Sequence, residues 1–179
     1  MLKKTVLLLA LACAGLLPFH VSAAPAVIIV VRHAEKAAAP AEDPPLTPAG
    51  KMRAAELARV VEAWTAAGTP VRGLFASEVM RTQQTLAPIT TTTHIPVTVL
   101  PAKDIDGLVK QIRAIDGGLV VVAGHSNTVP AIVQALGAKP GAKPGAPTWT
   151  IGDAEYDLIF VITPAGVLDM RYGARSEVR

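Results

Sequence analysis

Two unbroken apolar runs, Ala26 to Val31 (AVIIVV) and Leu119 to Ala123 (LVVVA), restrict the fold of this chain more than any other feature. Both are rich in β-branched residues and neither alternates with polar positions, so each reads as a strand covered on both faces, as in a parallel sheet flanked by helices. Between and after them the pattern switches to helical spacing. Thr47 is placed to cap a helix with Pro48 at its first position, and Leu57, Val60, Val61 and Trp64 repeat along one face until Gly68 ends it. Leu74 to Ala76 reads as a short strand, and Ser77 opens a helix through Arg81 and Thr85 that is expected to stop near Pro88. Val97 to Leu100 is a third strand. Leu108, Ile112 and Ile115 give the next helix its apolar face, and Val129, Ile132, Val133 and Leu136 do so for the helix after Ala123. Asp157 to Thr163 and Val167 to Tyr172, joined by Pro164-Ala165-Gly166, form a terminal hairpin. This order predicts one α/β domain, a three-layer α/β/α sandwich around a mostly parallel central sheet.

The ends of the chain need separate treatment. Lys3 and Lys4, an apolar run from Val6 to Leu17 and the small residues Val21-Ser22-Ala23 have the three-part layout of a secretory signal, and the run is short for a membrane span. Residues 1–23 are therefore read as a signal peptide and residues 24–179 as the working domain, periplasmic or secreted, with no stable membrane span after cleavage. Removing 23 of 179 residues leaves 156, and losing Lys3 and Lys4 lowers the formal charge from +3 to +1. The single cysteine, Cys13, leaves with the leader, which excludes disulfides, thiolate nucleophiles and cysteine-based zinc sites. Nucleic acid is not an expected partner, because clustered Lys/Arg with stacking aromatics are missing. Gly137 is followed by AKPGAKPG, read as a surface loop whose lysines are solvated.

Polar chemistry collects just beyond the strands, where open parallel sheets bind ligands. Arg32-His33-Ala34-Glu35 follows the first strand, Ser77 and Arg81 the second, Lys103-Asp104-Ile105-Asp106 the third, and Gly124-His125-Ser126-Asn127 the fourth. His94, in a Thr-rich connection, reads as an ordinary exposed residue. Arginine forks match phosphate oxygens, and helix amino termini near Ser77 and Asn127 would add backbone donors. A phosphoryl group held among Arg32, Arg81, His125 and Ser126 is open to in-line attack by the His33 imidazole.

These residues resemble the histidine phosphatase superfamily, the phosphoglycerate-mutase-like group, in its compact branch. The likeness runs from Val27 to about Val161 and rests on four motifs in order. Val31-Arg32-His33-Ala34-Glu35 is similar to an Arg-His-Gly signature. Leu46-Thr47-Pro48-Ala49-Gly50 resembles the opening of the first helix. Ser77-Glu78-Val79-Met80-Arg81-Thr82-Gln83-Gln84-Thr85 is similar to a Ser-x-x-x-Arg-Thr-x-Gln-Thr helix, and Gly124-His125-Ser126 matches the second histidine. The resemblance implies a phosphohistidine on His33 with Arg32, Arg81 and His125 as the phosphate clamp. It also implies a leaving-group acid after the third strand; Asp104 is the first choice, with Asp106 and Glu78 as alternatives and a helix-capping role weighed against Asp104. Glu35 is expected to orient the pocket or stay solvated, and Glu155 and Tyr156, entering the last strands, either to touch the site or, the preferred reading, to be structural. Two departures stand out: Ala34 replaces the glycine, and no long insertion roofs the site, which predicts a shallow cleft. The expected activity is hydrolysis of phosphomonoesters, on a small-molecule or glycan phosphate ester, without metal or cofactor. A mutase-type phosphotransferase, a silent phosphate-binding module and a metal hydrolase are the rivals, the last weakened by the lack of close ligand spacing.

Overall fold

The computed structural model describes residues 24–137 and 149–176. The expected leader and the AKPGAKPG segment lie outside the described residues. Among the described residues, no helix is long and apolar enough to cross a membrane.

The described residues form ten elements in the order β1 (Val27–Arg32), α1 (Pro48–Ala66), β2 (Val71–Ser77), α2 (Met80–Thr93), β3 (Val97–Leu100), α3 (Ile105–Arg113), β4 (Leu119–Gly124), α4 (Val129–Gly137), β5 (Leu158–Thr163) and β6 (Gly166–Arg171). They build one six-stranded sheet in the order β3-β2-β4-β1-β5-β6. The first four of these strands run parallel and the terminal hairpin β5–β6 adds antiparallel to β1. Both apolar runs lie in the middle of the sheet, and β1 and β4 are buried at every position. Alternate residues serve opposite layers. Val27, Ile29 and Val31 pack with Leu57 and Val61 of α1 and Leu86 and Ile89 of α2. Ile28 and Val30 pack with Leu108 and Ile112 of α3 and Val129, Ile132 and Val133 of α4. Each such side chain, fully buried, is worth about 1.5–3 kcal/mol relative to exposure, so the centre of the sheet is the hardest part of the molecule to displace. The three-layer α/β/α sandwich is as the sequence predicts.

Two local expectations are corrected. The helix after Ser77 does not stop at Pro88 but runs through it to Thr93. Ile89 is fully buried beyond the proline, and the hydroxyls of Thr91 and Thr93 donate to the carbonyls of Ala87 and Ile89, which supports the last turn. The Thr-rich stretch is thus helical, and His94 ends it in the left-handed conformation (φ 59°) with its N–H on the Thr90 carbonyl. Ser77, read as opening that helix, is the last residue of β2, and α2 begins at Met80. Its N-cap, Val79, has no side chain to offer, and the Asp43 carboxylate from the β1–α1 loop accepts from the Met80 N–H instead, at 2.9 and 3.1 Å.

The α1 start behaves as the sequence predicts. Thr47 Oγ1 accepts from the Gly50 N–H at 3.0 Å, with Pro48 at the first helical position. Gly50 itself lies against the backbone of Glu35, where an added Cβ would collide with the Glu35 carbonyl oxygen. Gly50→Ala should therefore force α1 away from the β1 exit loop and cost about 1–3 kcal/mol, the usual range for overpacking; chemical denaturation reads this as a lower midpoint at unchanged slope.

Candidate active site

Strand register brings the two expected histidines together. Arg32 of β1 pairs with Gly124 of β4, and the His33 N–H continues the ladder to the Gly124 carbonyl at 2.8 Å. The next residues, His33 and His125, then stand side by side with ring centroids 5.5 Å apart. On the other side of β4, Ala76 pairs with Ala123, so Ser77 ends β2 beside His125, and Ser77 Oγ lies 2.9 Å from His125 Nε2. Arg32, His33, Arg81, His125 and Ser126 line one open cleft of about 600 Å³ at the carboxyl ends of these strands, together with Lys36, Lys103 and Asp153.

His33 is 3% exposed. Its Nδ1 lies 2.7 Å from the Ala34 carbonyl, which can only accept, so Nδ1 carries the proton and the Nε2 lone pair is left free. Burial, reinforced by the charges of Arg32 and Arg81, lowers its pKa to about 3 against the retaining pull of the Ala34 carbonyl. A neutral imidazole with Nε2 unprotonated is a nucleophile. His125 is also shifted down, first by burial and then by Arg81, with Glu78 opposing. Its orientation comes from a buried chain of hydroxyls. Thr82 Oγ1 donates to the Val79 carbonyl at 2.8 Å, which leaves Ser77 to donate to Thr82 and to accept from His125 Nε2–H.

Arg32 is 5% exposed, and one of its terminal nitrogens donates to the carbonyls of Gly152, Asp153 and Glu155 at 2.7, 2.9 and 3.1 Å. Its guanidinium also stacks 4.3 Å from the centre of the Tyr156 ring. These contacts fix the fork, yet its buried Nε has no partner, and neither does the buried Nε of Arg81. An orphaned buried N–H costs roughly 1–3 kcal/mol. Two of them on arginines of one cleft describe a preorganised anion site.

The motifs now have physical content. Thr85 Oγ1 accepts from the Ala34 N–H at 3.0 Å, Gln84 Oε1 accepts from the Leu46 N–H at 2.8 Å, and Thr82 steers Ser77 and His125. Helix α2 is thereby tied to both loops that hold the site. Ala34 is fully buried, and His94 is the one described non-glycine residue with positive φ, so the Cβ at position 34 imposes no left-handed strain.

The expected acids are placed less centrally. Asp104 is the N-cap of α3, accepting from the Gly107 N–H at 2.9 Å, and Asp106 sits in the first turn of that helix. Neither lines the cleft. The Glu78 carboxylate accepts from the Ala102 N–H at 2.7 Å, and backbone hydrogen bonding holds its pKa below the ordinary value. Glu35 points away from the cleft and forms a two-pronged pair with the buried Arg53, at 2.7 and 2.9 Å, which also holds the carbonyls of Tyr172 and Ala174. Glu155 braces its own loop by accepting from the Gly152 N–H, and Tyr156 supports Arg32. The helix starts expected at Ser77 and Asn127 lie further on, at Met80 and Val129, and Asn127 lies in the turn between β4 and α4. What the sequence did not signal is that the carbonyls of Gly152, Asp153 and Glu155 hold Arg32, about 120 positions away.

Residues 28–104 match the model of the histidine phosphatase superfamily, branch 1. Solved structures with the same fold include the protein histidine phosphatase SixA complexed with tungstate (19% identity, 84% of this chain and 96% of that one, TM-score 0.54). Others are a phosphoglycerate mutase from Plasmodium falciparum (14%, 88% and 95%, 0.52) and a mycobacterial glucosyl-3-phosphoglycerate phosphatase with inorganic phosphate (14%, 84% and 96%, 0.54). A search of curated proteins finds no match.

Keeping these two histidines neutral has a price in stability. The unfolded chain binds a proton at His33 below about 6.5 whereas the folded one does not until about 3, so stability falls as pH drops through that interval. His33→Asn should flatten this dependence, and the thermal midpoint of the variant should fall less than that of the native protein between pH 7 and pH 4.

Proposed function

We propose that this protein is an exported phosphatase that hydrolyses phosphomonoesters through a phosphohistidine on His33. The observation that carries the reading is the pairing of a neutral, correctly protonated His33 with two cleft-lining arginines, Arg32 and Arg81, each of which also keeps a buried, unpartnered Nε–H. His33 Nε2 attacks phosphorus as the bond to the ester oxygen breaks, and that oxygen leaves with a proton. The imidazole becomes cationic on transfer, and the Ala34 carbonyl on Nδ1–H stabilises this charge. Arg32 and Arg81 balance the charge on the phosphoryl oxygens, with His125 beside them in the cleft, and this is most of what phosphoryl transfer requires of a protein. Water then attacks phosphorus, the P–N bond breaks, and His33 regains its lone pair. An open cleft favours hydrolysis over transfer to a second substrate, since water reaches the phosphohistidine freely.

The substrate is read as a phosphate ester bulky enough to need a shallow site, with a phosphorylated glycan of the cell envelope fitting the proposed export. Lys36 and Lys103 on the rim support a substrate of high negative charge. With a chelator present, His33→Ala should lower kcat by roughly 10⁴-fold or more, as expected for loss of a nucleophile, and Arg81→Ala should lower kcat/KM by about 10²–10³. Acid-quench trapping with a labelled ester should mark the native protein and leave His33→Ala unlabelled. Full activity in the His33 variant would sink the reading.

A further inference from the structure

Most carboxylates near the cleft are already engaged. Glu35 is held by Arg53, Asp43 by the Met80 N–H, Glu78 by the Ala102 N–H, and Asp104 by the Gly107 N–H. Glu155 is held by the Gly152 N–H and Arg171, and Asp157 by Arg171. Asp153 differs. It is the one carboxylate among the described residues that line the cleft, it is exposed to solvent there, and its side chain makes no hydrogen bond or ion pair within the fold. Its backbone carbonyl receives Arg32 at 2.9 Å, so the residue is fixed to the arginine that faces the phosphoryl group.

We infer that Asp153 is the catalytic residue that protonates the leaving oxygen. The inference rests on the phosphatase reading and adds to it a proton donor from the loop preceding β5, on the opposite side of the sheet from β3. The positive groups that line the cleft together with Asp153 are Arg32, Lys36, Arg81 and Lys103, along with the neutral rings of His33 and His125, and Glu155 is the acid neighbour on its own loop. As the P–O bond breaks, the proton passes from the Asp153 carboxyl to the leaving oxygen. When water attacks the phosphohistidine, the carboxylate takes a proton back from that water, and the cycle closes with ester and water converted to alcohol and phosphate.

The test compares two leaving groups in Asp153→Asn, a substitution of the same shape that keeps the carbonyl for Arg32. An aryl ester such as p-nitrophenyl phosphate expels a stable phenolate with little need of an acid, whereas glycerol phosphate expels an alkoxide that needs one. The expected result is a loss in kcat/KM of about 10²–10⁴-fold on glycerol phosphate and a loss at least tenfold smaller on the aryl ester. Equal losses on both esters, or no loss on glycerol phosphate, would overturn the assignment. His33→Ala, run in parallel, separates the two levels: phosphoenzyme trapping that still depends on His33 while Asp153→Asn shows no leaving-group dependence rejects Asp153 alone, and trapping that does not depend on His33 rejects the phosphatase reading.

Discussion

The site depends on a cation held below the surface of the protein. Arg32 ends one of the two strands that are buried at every position, and a guanidinium there is tolerable only because its charge is met by fixed dipoles. Three backbone carbonyls and the face of Tyr156 supply them. Those partners satisfy one end of the fork and leave Nε unanswered. Two well-satisfied ends would give a structural arginine, and a fully unsatisfied one would be expelled. The half-satisfied state keeps Arg32 in place while leaving its affinity for an anion unspent.

The same arrangement accounts for His33. A cation on each side and a dry floor make protonation of its ring unfavourable, while the Ala34 carbonyl selects which nitrogen keeps the remaining proton. The charge that would harm the free protein becomes useful when an anion arrives, because the arginines then stabilise the ligand instead of opposing a proton. Instability of the empty site and affinity of the filled one are two readings of one electrostatic field.

How much of this was legible in the sequence follows the range of the interactions. AVIIVV and LVVVA predicted the central strands because burial on both faces is written in consecutive residues. Thr47, Pro48 and Gly50 predicted the start of α1 for the same reason, since caps are local. Pro88 misled, because a proline breaks a helix only when packing does not hold it, and Leu86 and Ile89 are fully buried on either side. Asp104 offered two readings, a cap and an acid, and the nearby Gly107 N–H shows the cap being used. Asp153 and the carbonyls around Arg32 carried no signal at all, for a backbone carbonyl has no sequence signature and its partner lies about 120 residues away.

That last contact also explains how a chain without a roofing insertion can position a loop over its reaction centre. The segment from Gly152 to Tyr156 has little apolar surface of its own to bury, with Gly152 and Asp153 exposed. It is held instead through Arg32 and through Glu155, which reaches both the Gly152 N–H and Arg171. Binding an anion at the free side of Arg32 draws on the same guanidinium that anchors this loop. An anion bound there would thus share one guanidinium with the backbone of Asp153.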